Sequence, residues 1–207
     1  MKKSASKSKT SSKRRTGFAV VISSPSGGGK TTLVDRLLKR HPDWIRSVSA
    51  TTRAPREGEV PERDYFFVSS STFRRMEEQG EFLESAKVVD HYYGTPKRFV
   101  LDHSTDGRVM LLTLDIQGMQ NLLKTLKHEV PLLTIFILPP SLKELRDRLE
   151  GRKTESAAMI EKRLQLASEE IKAAGLYDVA VVNRNLEETV LEIETIIENF
   201  RKKHNNP

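Results

Sequence analysis

The segment Ser24-Pro25-Ser26-Gly27-Gly28-Gly29-Lys30-Thr31 carries the residue types and spacing that most directly specify chemistry. Consecutive glycines let a backbone curl its N–H groups around an anion, because no Cβ blocks the approach. A lysine closing such a loop reaches the β- and γ-phosphates of a nucleoside triphosphate, and a following threonine hydroxyl can hold Mg2+. Ser24 stands where this loop pattern usually has its first glycine, while the end Gly27-Gly28-Gly29-Lys30-Thr31 is intact. A second candidate is Asp115, which closes the apolar run VMLLTLD. An acid at such a strand end serves magnesium or substrate in phosphate-loop enzymes; alternatively, it caps the helix that starts with Ile116. The five histidines, His41, His91, His103, His128 and His204, have no metal-ligand spacing, and no Ser-His-Asp or paired-carboxylate arrangement is evident.

Those residues need elements to hold them. FAVVIS, ending at Ser23, reads as a buried strand, and TTLVDRLLKR after the loop reads as an amphipathic helix. The runs VMLLTLD to Asp115 and LLTIFIL to Leu138 read as central strands of a parallel sheet. Helical patterns follow each, over Met119–Lys127 and Leu142–Glu150. VAVVN, ending at Asn183, reads as a last strand, and Asn185 with Glu188 opens a C-terminal helix through a capping-box-like pair. This alternation predicts an α/β fold with a parallel sheet. Two stretches interrupt it. Residues 48–102 hold short strand candidates, turns and one helix, STFRRMEEQ, stopped by Gly80, and suggest an inserted substrate-binding region. Residues 151–158, GRKTESAA, separate two helices and suggest a mobile flap.

With 207 residues, the chain is long enough for one sizeable core with insertions. No apolar run approaches the roughly 20 residues of a membrane-spanning helix. The absence of cysteine excludes disulfides, a thiolate zinc site and a cysteine nucleophile, and it fits a reducing cytosol. The net charge of +7 comes from 35 basic and 28 acidic residues, and seven of the bases lie in residues 1–16, so the rest balances at 28 of each. That Lys- and Ser-rich tail cannot bury enough surface to order itself, and reads as a solvated extension. Adhesion to RNA, anionic lipid or another acidic partner is its alternative. It lacks the long apolar stretch of a signal peptide and the amphipathic face of a transit peptide. No internal repeat is present.

SATTRAPREGEVPERDYFFVS from Ser49, GEFLESAKVVDHYYGTP from Gly80 and the loop SPSGGGKTT together resemble guanylate kinase, the nucleoside monophosphate kinase family that phosphorylates GMP. The resemblance runs from Gly17 to the C-terminal helix. It implies a three-layer phosphate-loop core over residues 17–47, 103–140 and 171–207, a GMP-binding region over 48–102, and a lid over 141–170. It further implies that Arg53 and Arg56 clamp the GMP phosphate in forked hydrogen bonds, with Tyr65, Tyr93 and Glu59 beside them. Glu84 would accept the N1–H and 2-amino donors of guanine, helped by Ser49, Thr95 and Asp115. Adenine has no such donor pair and would leave that carboxylate unpaired. Arg148, Arg152 and Arg163 match lid arginines that close over the triphosphate, and Asn183 matches a position near the adenine of ATP. Three positions depart from the pattern: Thr113 replaces the first acid of LDIDxQG, Lys153 replaces a glycine in GRGTE, and Arg184-Asn185 replaces an acidic pair.

The implied reaction is ATP + GMP ⇌ ADP + GDP by in-line transfer, with dGMP as a second acceptor and Mg2+ carried on ATP. The nucleophile is an already ionised phosphate oxygen, so no general base is needed. Catalysis then rests on alignment and charge neutralisation by Lys30 and the lid arginines. The expected setting is cytoplasmic, without nucleic acid or membrane as a partner of the folded part; monomer or homo-oligomer stays open. Two other functions compete. Some guanylate-kinase-like domains are scaffolds, but these generally lose the loop lysine that this chain keeps. A kinase for another small phosphate is the second, and Glu84 weighs against AMP and pyrimidine acceptors.

Overall fold

The computed structural model describes residues 17–25, 27–88, 90–126, 130–151 and 156–205. The basic tail, Ser26, Arg152 and Lys153 lie outside the described residues.

Strand β1 (Phe18–Ser23) is buried along its whole length and organises the core. Its side chains alternate between two faces, as a strand requires. Phe18, Val20 and Ile22 join one apolar cluster with Leu33, Val34, Leu37, Val190 and Ile193, whereas Ala19 and Val21 join another with Met119, Leu122 and Leu126. Helices α1 (Lys30–Arg40) and α7 (Leu186–Asn205) therefore cover one face, and α4 (Ile116–Leu126) covers the other. The result is three layers. The sheet runs β2 (Ile45–Arg46), β7 (Val109–Thr113), β1, β8 (Leu132–Leu138), β9 (Val179–Val182), and every pairing is parallel.

Strands β1 and β8 have the limits that their apolar runs predict. Two others end early. β7 stops at Thr113 and β9 at Val182, so Leu114, Asp115 and Asn183 stand beyond the sheet, at the C-terminal edge where doubly wound folds hold ligands.

Between β2 and β7 lies a second sheet of four strands, in the order β4 (Phe66–Phe67), β3 (Ala50–Thr51), β6 (His91–Pro96), β5 (Phe82–Val88). Helix α2 (Ser70–Glu78) starts where Ser69 accepts the N–H of Thr72 and gives way to Gly80 at φ 67°. A further helix, α3 (Lys97–His103), was not expected from the sequence. Its seven residues show no amphipathic period, and it is anchored by Val100 alone among its fully buried residues.

Helices α5 (Leu142–Glu150) and α6 (Ala157–Lys172) flank the predicted flap. Ser141 and Ser156 cap them, and Leu145, Leu149, Ile160, Leu164 and Ala167 form a small core between them. Asn185 caps α7 by accepting the N–H groups of Glu187 and Glu188. Among the described residues, no helix is long and apolar enough to cross a membrane.

Candidate functional site

The phosphate loop joins β1 to α1. Gly27 and Gly29 sit at φ 88° and 89°, in the left-handed region that other residues enter only under strain. Gly28 N–H closes a turn on Pro25 O at 2.9 Å, and Ser24 Oγ donates to the same oxygen at 3.1 Å. Helix α1 begins with no side-chain cap at Gly29, so its first N–H groups remain available to an anion. Lys30 Nζ donates to Leu114 O at 3.1 Å, across the top of the sheet. Burial pushes the Lys30 ammonium below its usual pKa, while Asp115 and Glu170 pull it back up. Thr31 is exposed on the first turn of α1.

Asn183 is buried behind the loop. Its Nδ2 donates to Gly28 O at 3.4 Å, its Oδ1 accepts from Thr189 Oγ1 at 3.3 Å, and its carbonyl accepts from Arg148 Nη2 at 3.1 Å. The residue expected near adenine is thus tied to the loop backbone, and the expected lid arginine Arg148 is tied to Asn183. Arg148 also lies 3.7 Å from Glu144. Arg163 is half-buried on α6.

The second sheet gathers the other candidates. Arg53 follows β3 and makes a forked pair with Glu59, through Nη1 at 3.0 Å and Nη2 at 2.8 Å. Glu59 also accepts the backbone N–H of Arg56 at 2.7 Å. Burial lowers the pKa of Arg53, but bonds to Glu59 and Tyr93 outweigh it and hold the pKa above its ordinary value. For Glu59, burial raises the pKa, and Arg53 outweighs it and holds the carboxyl low. The Arg53 guanidinium lies 5.3 Å from the centre of the Tyr65 ring, and Tyr65 meets Tyr93 edge-on at 5.9 Å. The Arg56 side chain is exposed. Both arginines thus stand at one corner, with Arg53 already aimed by an acid that an anionic ligand can displace or share.

On β5, Glu84 is only 6% exposed. Its cross-strand partner on β6 is Thr95, whose Oγ1 donates to Glu84 Oε1 at 2.6 Å. Ser49, just before β3, is buried as well. Burial raises the Glu84 carboxyl to a pKa of about 7; the Thr95 hydrogen bond opposes the rise and nearby Asp115 adds to it. Asp115 Oδ1 accepts the N–H of Gly118 at 2.7 Å, so Asp115 does cap α4. Capping and a place in the site turn out to be compatible. Asp115 lies beside Glu84 on one side and acts electrostatically on Lys30 on the other.

The steps from phosphate loop to second sheet are short: Lys30 bonds to Leu114 O beside Asp115, a Cβ built at Gly118 would lie within 3.0 Å of both Asp115 Oδ1 and Glu84 Oε2, and Thr95 bonds to Glu84, with Tyr93 of β6 continuing to Arg53. Gly118 was missed in the sequence. A Cβ built there would lie 2.9 Å from Glu84 Oε2 and 3.0 Å from Asp115 Oδ1. The available signal was the glycine that ends the LDIDxQG pattern, placed in the first turn of a helix where glycine is unfavourable.

Known proteins share this arrangement of elements. The guanylate kinase family model matches residues 16–200. The chain is 43% identical over 187 residues to a guanylate kinase of Wolbachia sp. subsp. Brugia malayi, covering 90% of this chain and 95% of that protein. It is 45% identical over 184 residues to one from Caldanaerobacter subterraneus subsp. tengcongensis, covering 89% and 88%. The crystal structure of guanylate kinase from Anaplasma phagocytophilum superposes with a TM-score of 0.75 at 34% identity, over 90% of this chain and 87% of that one.

Proposed function

The chain belongs to the guanylate kinase family, nucleoside monophosphate kinases that phosphorylate GMP with ATP, and we propose how its own residues divide that task. Gly27, Gly28, Gly29, Lys30 and Thr31, with Ser24, Pro25 and Ser26, cradle the ATP phosphates, and Asn183 holds the loop in shape. Arg53 and Arg56 grip the phosphate of GMP, Glu59 keeps Arg53 oriented until it arrives, and Tyr65 and Tyr93 complete the corner. Glu84, steadied by Thr95 and flanked by Ser49 and Asp115, reads the guanine edge. dGMP is a second acceptor in the same proposal.

The observation that carries this reading is the line from Lys30 through Asp115 to Glu84. It supports two nucleotides lying end to end, with the acceptor phosphate facing the donor. Lys30 gives up its bond to Leu114 O and takes the transferring phosphate, whose negative charge favours the ammonium form that burial disfavours. Arg148, Arg152 and Arg163, on a lid over residues 141–170, close above it and exclude water. No side chain needs to remove a proton, because the attacking phosphate oxygen is already ionised. The core over 17–47, 103–140 and 171–207 and the GMP-binding region over 48–102 belong to the same proposal, as does a cytoplasmic setting.

Mg2+ suits the site. Thr31 presents an exposed hydroxyl, and no group of three or more His, Asp or Glu able to hold a metal occurs among the described residues. Thr31 together with phosphate oxygens and water would hold the ion, which is the ligand set Mg2+ favours, and when bound it neutralises charge on the triphosphate.

The test is ADP release with GMP, dGMP, AMP, UMP and IMP, for wild type and Lys30→Ala. GMP should be preferred, and Lys30→Ala should lose turnover while still binding GMP in calorimetry. Normal turnover without Lys30, or a preference for AMP, overturns the assignment.

A further inference from the structure

Glu84 Oε1 is held by Thr95, so the other oxygen, Oε2, decides where the carboxylate can sit. That oxygen lies against the first turn of α4, where a Cβ at position 118 would come within 2.9 Å of Oε2, 3.4 Å of the Glu84 Cδ and 3.0 Å of Asp115 Oδ1. Contacts under 3 Å are not tolerated, so any side chain at 118 forces movement. The helix cannot move away easily: Met119 and Leu122 of α4 and Leu83 of β5 are buried in one apolar cluster. Gly118 also has a polar task, since its N–H fixes Asp115 Oδ1 at 2.7 Å. One residue without a side chain thus sets the positions of two carboxylates at once.

The geometry points to Gly118 as a specificity-determining, positioning residue: the absence of a side chain there lets Glu84 occupy the place from which it distinguishes guanine from adenine. This rests on the reading of Glu84 as the base-recognising acid. A methyl group at 118 has two routes of relief. Either Glu84 rotates off Thr95, or Asp115 leaves its cap; both displace a carboxylate from the guanine pocket. The AMP complex has no donor pair for Glu84 to lose, so selectivity falls from the GMP side.

The experiment is a double-mutant cycle on GMP and AMP affinity, measured by calorimetry, with Gly118→Ala, Glu84→Ala and the double variant. Gly118→Ala alone should weaken GMP binding on the order of tenfold or more and leave AMP binding little changed. In the Glu84→Ala background the added methyl meets no carboxylate at 84, and most of the loss should vanish. If Gly118→Ala binds GMP within about twofold of wild type while Glu84→Ala does not, the inference fails and the reading of Glu84 stands. Should Glu84→Ala itself bind GMP normally, that reading fails first. Equal losses in both backgrounds would mean a merely structural role for Gly118 and would also overturn the inference. Where Gly118→Ala does not fold, the double variant should recover folding; failure to recover counts against the proposal.

Discussion

Glu84 is a carboxyl held where its own charge is disfavoured, with burial and Asp115 lifting its pKa to about 7 against the pull of Thr95. Guanine needs the ionised form as acceptor. GMP affinity should therefore fall as pH drops below 7, by up to tenfold per unit, beyond the change due to the nucleotide phosphate itself. Glu84→Gln should remove that extra dependence; a calorimetric series from pH 5.5 to 8.5 that is parallel for both proteins would rule this out. The same shift bears on stability with a definite sign. A carboxyl whose folded pKa exceeds its unfolded one holds its proton more tightly when folded. Its contribution is most favourable below the unfolded value and is lost as pH rises through about 7, by roughly 3 kcal/mol. Glu84→Gln keeps an acceptor for Thr95 and carries no charge, so it should melt about 6–12 °C higher than wild type at pH 8, and the gap should close below the unfolded pKa of 4.5. Arg53 poses a different problem, one of shape. Its fork already matches the two oxygens of Glu59, so Arg53→Lys keeps the charge and loses the second bond. GMP KM should rise about tenfold or more with ATP KM little changed, as steady-state kinetics can show.

Among the elements, those with a long apolar pattern were legible and the short ones were not. FAVVIS and LLTIFIL matched the limits of β1 and β8 because they are unbroken apolar runs, and the pattern at 142–150 matched α5, whose buried Leu145 and Leu149 recur at four-residue spacing. β2, β3 and β4 have two residues each, too few for any period, and pairing with distant strands defines them. The site divides the same way. The loop, the arginines and the tyrosines sit in local motifs, whereas the approach of Glu84 to Gly118 joins β5 to α4 across 34 positions and leaves no local trace. The meeting of α5 with the phosphate loop is equally non-local. A Cβ at Gly27 would lie 2.9 Å from Leu149 Cδ2, besides being strained at φ 88°. Gly27→Ala should thus both destabilise the protein by about 1–2 kcal/mol and weaken ATP binding. Leu149→Ala opens the space but not the backbone angle. Leu149 is itself buried, so its truncation costs about 2–5 kcal/mol alone. In that background the added cost of Gly27→Ala should shrink while the loss of ATP affinity stays, as a double-mutant cycle by thermal melting and nucleotide titration can show.

At the scale of the whole molecule, charge is divided more sharply than the net +7 suggests. Seven of the 35 bases fall in residues 1–16, and the remaining 191 residues are balanced, so the part that carries the site does not repel or attract polyanions by net charge. On the division of roles proposed above, recognition of two anionic nucleotides is left to local groups: the open N-terminus of α1, Lys30 and the Arg53 corner. These act within a few ångströms, inside the screening length of about 8 Å at physiological salt. The basic tail would act differently, through seven positive charges whose attraction to a polyanion fades with added salt, because releasing condensed counterions then gains less. Deleting residues 2–16 should therefore leave kcat and both KM values within about twofold, since no assigned residue lies there. Retention on heparin at low salt should disappear in the same variant. A truncated enzyme with markedly weaker GMP or ATP binding would show instead that the tail's charge contributes to the nucleotide sites, and that the local groups named above are not sufficient for capture.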